Sequence, residues 1–226
     1  MSKRRYLLGD VETTGFSGTP GVVEIAWFEV DEDLNIIDKQ YSLIDPQRPI
    51  DPGASGVHHI TNAMVAEAPT ISEFFEYIYG GKIEGDIVLV AHNSKYDREF
   101  FGPWCNKLNH EICTLKLARR YLPEQDNHKL QTLRYSLGLD AGTAHSAEGD
   151  VTALYNLLRH LLDLSGETLE SLITRSSEPL FVHKMPFGKH KGLPIQEVPK
   201  DYLQWLSRQD NVDPDLRYTL DKVLTK

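Results

Sequence analysis

The chain has 226 residues, of which 40% are apolar and 25% charged, and it carries a formal net charge of −9 and two cysteines. This composition predicts a folded cytoplasmic protein of one α/β domain and a small addition, without a disulfide framework, a signal peptide or the roughly 20 apolar residues of a membrane span. The negative charge argues against a protein that coats long stretches of nucleic-acid backbone, although an enzyme that binds only strand ends can gather its positive charge as metal ions.

The first two thirds of the chain predict strands followed by alternating strands and helices. Segments dense in β-branched and aromatic residues predict strands at 5–10, 22–30, 36–43 and 87–91, with a turn at 15–21. Helical patterns lie at 62–67, 71–79, 96–101, 115–121, 130–137 and 147–164. This order predicts an α/β fold with a mixed central sheet flanked by helices.

The last third indicates a second module. Residues 174–179 are poor in apolar side chains and predict a linker between a main domain at 1–173 and a small module at 180–226. Within the module, a glycine-rich hairpin or loop is predicted at 187–195, and helices at 201–207 and 214–224.

Two acids lie two residues apart at the end of the first predicted strand. The strand period of two places Asp10 and Glu12 on one face, where their charges repel unless a cation lies between them. The spacing therefore indicates a metal site. The alternative is a solvated turn in which Asp10 is a local cap for Thr13 or Thr14.

Two further acids lie at the start of apolar helical stripes. Aromatic residues follow Asp97 at three, four and seven positions, and leucines follow Asp150 at four, seven and eleven. A buried carboxylate must be paired, hydrogen-bonded or metal-bound. Each acid taken singly could be an inward-turned cap or the partner of an arginine, but together with the first pair they indicate one acidic centre.

His145 precedes Asp150 by five residues, which is about 140° of rotation on a continuous helix, so we expect it in the loop that enters the helix. An imidazole in that place is a natural base for the proton of an attacking water. The alternative is an ordinary surface histidine.

Four acids without a histidine pair at metal spacing describe a site of hard oxygen ligands, which favours Mg²⁺, with Mn²⁺ as a substitute, over zinc. Two such ions would stabilise both the attacking and the leaving oxygen of an in-line displacement at phosphorus. The sequence therefore predicts phosphodiester hydrolysis.

Three segments resemble, in the same order, the motifs of the DEDD (DnaQ-like) exonucleases. They are residues 10–15 (DVETTG), 91–97 (AHNSKYD) and 145–150 (HSAEGD), within a match of about residues 5–164. The branch of the family with a histidine base is indicated, because Ser146 stands where the sister branch has tyrosine.

The resemblance implies an RNase H-like fold and a 3′-to-5′ exonuclease. It implies Asp10, Glu12 and Asp150 as direct metal ligands, Asp97 as a ligand partly through water, and His145 as the base. The substrate-binding residues that it implies are Thr13, Thr14, Gly15, His58 and Asn93. Members of the family usually have glycine where this chain has His59.

Residues 185–195 and 199–206 resemble the small C-terminal module of exodeoxyribonuclease X-like proteins, which favours DNA as the substrate. A basic turn at 189–191 with aromatic residues nearby could stack on bases. In the alternative, Phe187, Tyr202 and Trp205 form the core of the module and the lysines are only solvated.

We therefore expect a Mg²⁺-dependent exodeoxyribonuclease that releases nucleoside monophosphates from DNA 3′ ends, with replication or repair proteins as candidate partners. One alternative keeps the site and changes the substrate to RNA, as in RNA processing. Another alternative is a module that binds 3′ ends without cutting them, and the full set of acids with His145 favours catalysis over it.

Overall fold

The computed structural model describes residues 4–15, 19–125, 127–140 and 142–225, so the predicted turn at 15–21 lies partly outside the described residues. The chain divides after Ser176 into two compact units. No helix in the described ranges is long and apolar enough to cross a bilayer.

The larger unit is built on a five-stranded mixed sheet. Its strands are β1 (Arg5–Thr13), β2 (Val22–Val30), β3 (Ile36–Leu43), β4 (Ile83–Ala91) and β5 (Cys105–Cys113). Their order across the sheet is β3-β2-β1-β4-β5. Strand β2 is antiparallel to both β1 and β3, whereas β4 is parallel to both β1 and β5. The predicted mixed α/β sheet is confirmed.

Helices cover both faces of this sheet. They are α1 (Pro52–His58), α2 (Asn62–Val65), α3 (Ile71–Tyr79), α4 (Ser94–Phe101), α5 (Thr114–Tyr121), α6 (Leu130–Ser136), α7 (Ala147–Ser165) and α8 (Leu169–Ser177). Alternate residues of β1 point to opposite cores, so that Tyr6 and Leu8 pack on the side of α7, whereas Leu7 packs with Trp27 and Phe101. Burial on both faces explains why β1, β2 and the second half of β4 are largely apolar runs in the sequence.

The smaller unit contains α9 (Lys200–Ser207) and α10 (Pro214–Leu224). The turn before them is closed by an isolated bridge between Lys184 and Pro194, and Arg217 of α10 donates a hydrogen bond of 3.0 Å to the carbonyl of Ser207 at the end of α9. Its buried core consists of Met185, Ile195, Val198, Leu203, Leu206, Leu216 and Leu220.

Three parts of the chain differ from the sequence prediction. The predicted linker at 174–179 is wrong over its first four residues, because α8 continues to Ser177 and buries Leu172 and Ser176. Strand β5 was not predicted because it is polar and mostly open along its middle. Helix α1 was not predicted because two glycines among its seven residues weaken the helical pattern.

Strand β1 extends to Thr13, three residues beyond its predicted end, and this extension carries Glu12. Strand β4 pairs with β1 only from Arg5 to Leu8, whereas β2 stays paired with it as far as Thr13. Asp10 and Glu12 therefore lie within β1, on a part that has a neighbouring strand on one side only. Ligands of open α/β sheets commonly bind where strands diverge in this way.

Candidate active site

The two acids of β1 lie in an environment that opposes their ionisation. Burial raises the pKa of Asp10 well above its usual range, and the charges of Asp97, Asp150, Glu12 and Glu24 raise it further. Burial also raises the pKa of Glu12 to about 7, with added repulsion from Asp150 and Glu24. The surroundings therefore oppose the charged form of both carboxyl groups, and bound cations would favour it.

Asp97 reaches the same centre from the first turn of α4, which begins three residues after β4 ends. It is only 4% exposed. Burial raises its pKa to about 8, the hydrogen bond to its own backbone opposes this rise, and the charge of Glu12 supports it. The hydroxyl groups of Tyr96 and Thr13 are 2.9 Å apart and tie α4 to β1.

Asp150 and His145 come from the start of α7. His145 lies in the loop before the helix, as its spacing from Asp150 predicts, and adopts a left-handed backbone with φ +58°. One ligand atom of each of Glu12, His145 and Asp150 lies within 4.8 Å of the others, with His145 exposed and Asp150 buried. Burial raises the pKa of Asp150, and the nearby His145 opposes this rise.

A side chain of α6 holds Asp150 from the other side. The Nε2 group of Gln131 donates a hydrogen bond to Oδ1 of Asp150, and Arg134 Nη1 in turn donates to Oε1 of Gln131 over 3.3 Å. Together with a hydrogen bond from the His145 backbone, this chain of contacts fixes the Asp150 carboxylate. The sequence reasoning missed Gln131, and no pattern in the sequence singles it out.

Glu24 fixes the loop that carries His145. Its Oε2 accepts a hydrogen bond of 2.7 Å from the backbone nitrogen of Ala147, the first residue of α7. Glu24 is buried and pairs across the sheet with Glu12. Burial and a hydrogen bond with Glu24 raise the pKa of Tyr41 to about 12. The sequence reasoning missed Glu24, although a glutamate inside an otherwise apolar strand was an available signal.

His58 does not offer a free ring nitrogen to a substrate. Its Nδ1 accepts a hydrogen bond of 3.0 Å from the backbone nitrogen of Ile60, so its Nε2 donates to the carbonyl of Thr13 over 3.2 Å. Burial lowers its pKa, which keeps the ring neutral. His59 is exposed and adopts φ +63° at the end of α1, a conformation that glycine favours.

Two of the first-motif residues after Glu12, Thr13 and Gly15, line a cleft, whereas the buried Thr14 holds the backbone behind it. Thr14 accepts a hydrogen bond at its hydroxyl from the Gly21 nitrogen (3.0 Å) and at its carbonyl from the Asp51 nitrogen (2.9 Å). Gly15 lies so close to Asp51 that a Cβ there would meet a carboxylate oxygen at 2.3 Å. The cleft has a volume of about 390 Å³ and is lined by Glu12, Thr13, Gly15, Asp51, Gly53, Ala54, Val57 and His58.

Asn93, the last of the predicted substrate-binding residues, and a second cleft both lie apart from the cleft beside Glu12. Asn93 lies between β4 and α4, exposed and with φ +90°, and it does not line this cleft. A second cleft of about 550 Å³ lies at the other end of α7, around Tyr155 and Asp163, and includes none of the motif residues. Chemistry rather than cleft size therefore identifies the site.

The residues present fit a hard divalent cation. The acids contribute carboxylate oxygens from three separate elements, and burial, with added repulsion between the acids, raises their pKa values. Mg²⁺ and Mn²⁺ prefer such ligands.

Comparison with known proteins agrees with this chemistry. The family model described as "Exonuclease" matches residues 7–158, and the model described as "Putative quorum-sensing-regulated virulence factor" matches residues 177–224. The chain is 35% identical to exodeoxyribonuclease 10 of Escherichia coli K12, over 95% of this chain and 96% of that protein. It is 33% identical to the PolC-type DNA polymerase III of Bacillus subtilis, over 75% of this chain and 12% of that protein.

Solved structures show the same relationship. Exonuclease X in complex with 5′ overhanging duplex DNA superposes with a TM-score of 0.61 at 32% identity, over 77% of this chain and 99% of that one. Exonuclease I of E. coli in complex with a dA16 oligonucleotide has a TM-score of 0.59 at 19% identity, over 76% of this chain and 42% of that one, and shows a shared fold.

Proposed function

The chain belongs to the exonuclease family, and on this premise we propose that it removes nucleoside monophosphates from the 3′ ends of DNA by two-metal-ion hydrolysis, with His145 as the general base. The observation that carries the proposal is the convergence of Glu12, His145 and Asp150 within 4.8 Å. The charges of Asp97, Asp150 and Glu12 raise the pKa of Asp10, which supports the assignment of Asp10 and Asp97 to the same centre.

The metal ligands we propose are Asp10, Glu12, Asp97 and Asp150. Two Mg²⁺ ions, or Mn²⁺ as a substitute, would stabilise the negative charge that develops on the attacking and leaving oxygens. The raised pKa values of the acids support this assignment. Burial and neighbouring carboxylates disfavour the charged form of each acid, and a bound cation would stabilise that form.

His145 would take a proton from the attacking water. It is exposed, so substrate and solvent reach it, and the anchoring of Ala147 by Glu24 fixes the loop in which it lies. Attack of the water on phosphorus breaks the bond to the 3′ oxygen of the preceding nucleotide, which takes up a proton from solvent. The terminal nucleotide leaves as a monophosphate.

The cleft beside Glu12 suits the terminal nucleotide. Thr13 and Gly15 form one wall, and the exposed Val57 of α1 offers an apolar surface to a base or sugar. Thr14 lies between them in sequence and does not line the cleft, so its contact with the substrate remains a proposal. His58 supports that wall through the Thr13 carbonyl, so we assign it an indirect role. Asn93 remains a proposed contact at the start of α4.

The relatives support DNA over RNA as the substrate. The E. coli relative is named an exodeoxyribonuclease, and the solved exonuclease X is bound to DNA. Similarity to polymerase III proteins supports replication or repair proteins as partners, and similarity to bacterial nucleic-acid enzymes supports a cytoplasmic location.

The test compares matched DNA and RNA strands with labelled 5′ ends. In Mg²⁺ the protein should shorten the DNA strand one nucleotide at a time, and a chelator should stop it. Asp10→Asn should be inactive, whereas Asp33→Asn, at an exposed acid in the turn after β2, should match the wild type. Faster cleavage of RNA would contradict the choice of substrate, and strand binding without any product would contradict catalysis.

A further inference from the structure

Large apolar side chains are exposed on the smaller unit. Phe187, Leu193 and Trp205 are 45%, 40% and 54% exposed. The buried core of this unit is closed by other residues, and Tyr202 only packs against its edge. The interpretation of these aromatic residues as the core of the module is therefore wrong for Phe187 and Trp205. Contiguous exposed apolar surface rimmed by polar groups is a common feature of binding sites.

The aromatic residues of α9 hold a basic turn beside them. The Nζ of Lys189 lies 5.2 Å from the centroid of the Tyr202 ring. The His190 ring packs edge-on against the same ring at 4.7 Å, and the Trp205 ring lies 5.5 Å from it. Gly188 has φ +72°, and a Cβ there would come within 2.8 Å of the Tyr202 hydroxyl. The turn is thus fixed against Tyr202, whose ring has the Lys189 cation and the exposed Trp205 indole as neighbours.

We propose that this surface, formed by Lys189, Tyr202 and Trp205 and called here the tryptophan–lysine face, binds single-stranded DNA. Flat aromatic rings stack on successive bases, and a neighbouring cation contacts the phosphates between them. The face would be a binding site separate from the acidic centre of the larger unit.

Charge favours a nucleic-acid strand as the occupant. From residue 178 onward the chain has eight Lys and Arg against seven Asp and Glu, a net charge of +1, whereas the preceding residues have 16 against 26, a net charge of −10. The smaller unit is therefore the part of the chain that repels phosphate least before metals bind. The proposal rests on the proposed function in one respect, since the strand that the face would bind is the DNA substrate of the proposed exonuclease.

Because both units belong to one chain, a strand held on this face stays close to the enzyme after each cleavage. We therefore expect tighter binding of strands long enough to reach both sites. A trinucleotide fills only one of the sites and should not show the effect.

Binding is measured by fluorescence anisotropy in chelator, so that no cleavage occurs. The probes are a labelled oligothymidylate of about 20 nucleotides, longer than the roughly 4–16 nucleotides of a typical single-strand site, and a labelled trinucleotide. Trp205→Ala should weaken binding of the long probe about 5- to 150-fold, the range expected for loss of one stacked base. Lys189→Glu should weaken it and flatten its salt dependence.

Two variants serve as matched controls. Tyr77→Ala removes an aromatic residue that is 90% exposed on α3. Lys222→Glu makes the same charge change in the same unit, at a lysine whose ring partner is Tyr218. Both should bind the long probe as the wild type does. In Mg²⁺, Trp205→Ala should raise KM for the long strand and leave kcat for the trinucleotide unchanged.

The outcomes separate this inference from the proposed function. If both Trp205→Ala and Lys189→Glu keep wild-type affinity for the long probe and remain folded by circular dichroism, the face does not bind DNA and the inference is overturned. Tighter binding of an RNA probe than of the DNA probe would also overturn it. If the wild type cleaves no strand in Mg²⁺, the proposed function fails, while the anisotropy in chelator still tests the face.

Discussion

Replacing Glu12 by glutamine should stabilise the metal-free protein at alkaline pH. Burial and the charges of Asp150 and Glu24 raise the pKa of Glu12 from 4.5 to about 7. At about 1.4 kcal/mol per pKa unit this corresponds to about 3 kcal/mol. Glu12 is partly exposed, so solvent screening reduces the expected gain to about 2 kcal/mol.

The pH dependence of the gain follows from the direction of the shift. Below pH 4.5 Glu12 is protonated in both the folded and the unfolded chain, so its charge costs the wild type no stability. As the pH rises to about 7, the unfolded chain ionises first and the wild type loses stability. The advantage of Glu12→Gln should therefore be absent in acid, grow through this window and be complete above it.

Mg²⁺ should make the wild type more stable than Glu12→Gln, which is the reverse of the order expected without metal. A cation that binds only the folded state stabilises it in proportion to the logarithm of its concentration relative to Kd. The wild type keeps all four acids and should gain more from Mg²⁺ than Glu12→Gln, which should also lose nuclease activity.

The assay is urea unfolding at about pH 4 and about pH 8, in chelator and in Mg²⁺. Glu76→Gln, at an exposed glutamate on α3, is the matched control and should follow the wild type throughout. A Glu12→Gln protein that is less stable than the wild type in chelator at about pH 8 would refute the argument, because the acid would then be stabilised by its surroundings.

Three further substitutions test other parts of the site. Asp150→Asn should lower the cleavage rate by about 10³-fold or more in a gel assay, as chelator does, and residual activity near the wild-type level would exclude it as a ligand. Gln131→Leu should raise the Mg²⁺ concentration for half-maximal activity about 10- to 100-fold, because Asp150 loses its hydrogen-bond donor; an unchanged Mg²⁺ titration would remove Gln131 from the site. Gly149→Ala should lower stability by about 3 kcal/mol, because its Cβ would lie 1.9 Å from the Thr143 carbonyl oxygen. Gly56→Ala within α1 meets no atom within 4 Å and should raise stability by about 0.4–1 kcal/mol in the same thermal unfolding experiment.

The sequence predicted the elements that bury apolar residues at a regular spacing. In α7 the leucines that follow Asp150 at helical spacing are buried, so the period of the pattern gave both the helix and its inward face. The strand β2 was predicted with its observed bounds, because all of its residues are buried and most are β-branched or aromatic.

Elements without such a pattern were missed for physical reasons. Strand β5 lies at the edge of the sheet and pairs with β4 alone, so its exposed middle carries polar residues. Helix α8 buries Leu169 and Leu172 but ends in polar residues that read as a linker. In both cases tertiary contacts decide a structure that local composition does not indicate.

The candidate site was predictable in its residue types and less so in its supports. Acids at helical and strand spacing indicated a cation, and the loop position of His145 followed from its distance to Asp150. The roles of Gln131 and Glu24 depend on contacts across 19 and 123 residues of sequence, and no local pattern encodes such contacts. His58 was predicted near the substrate, but its two ring nitrogens are used by backbone groups.

The hydrogen bond between Glu24 and the start of α7 has a consequence for synthesis of the protein. It joins a strand made early to a helix whose first residue is Ala147. A nascent chain that has emerged only as far as β5 carries Asp10 and Glu12 but lacks both His145 and Asp150. With the roles proposed for His145 and Asp150, a partly synthesised chain would have no nuclease activity, and nucleic acids near the ribosome would meet an active enzyme only after α7 has been made.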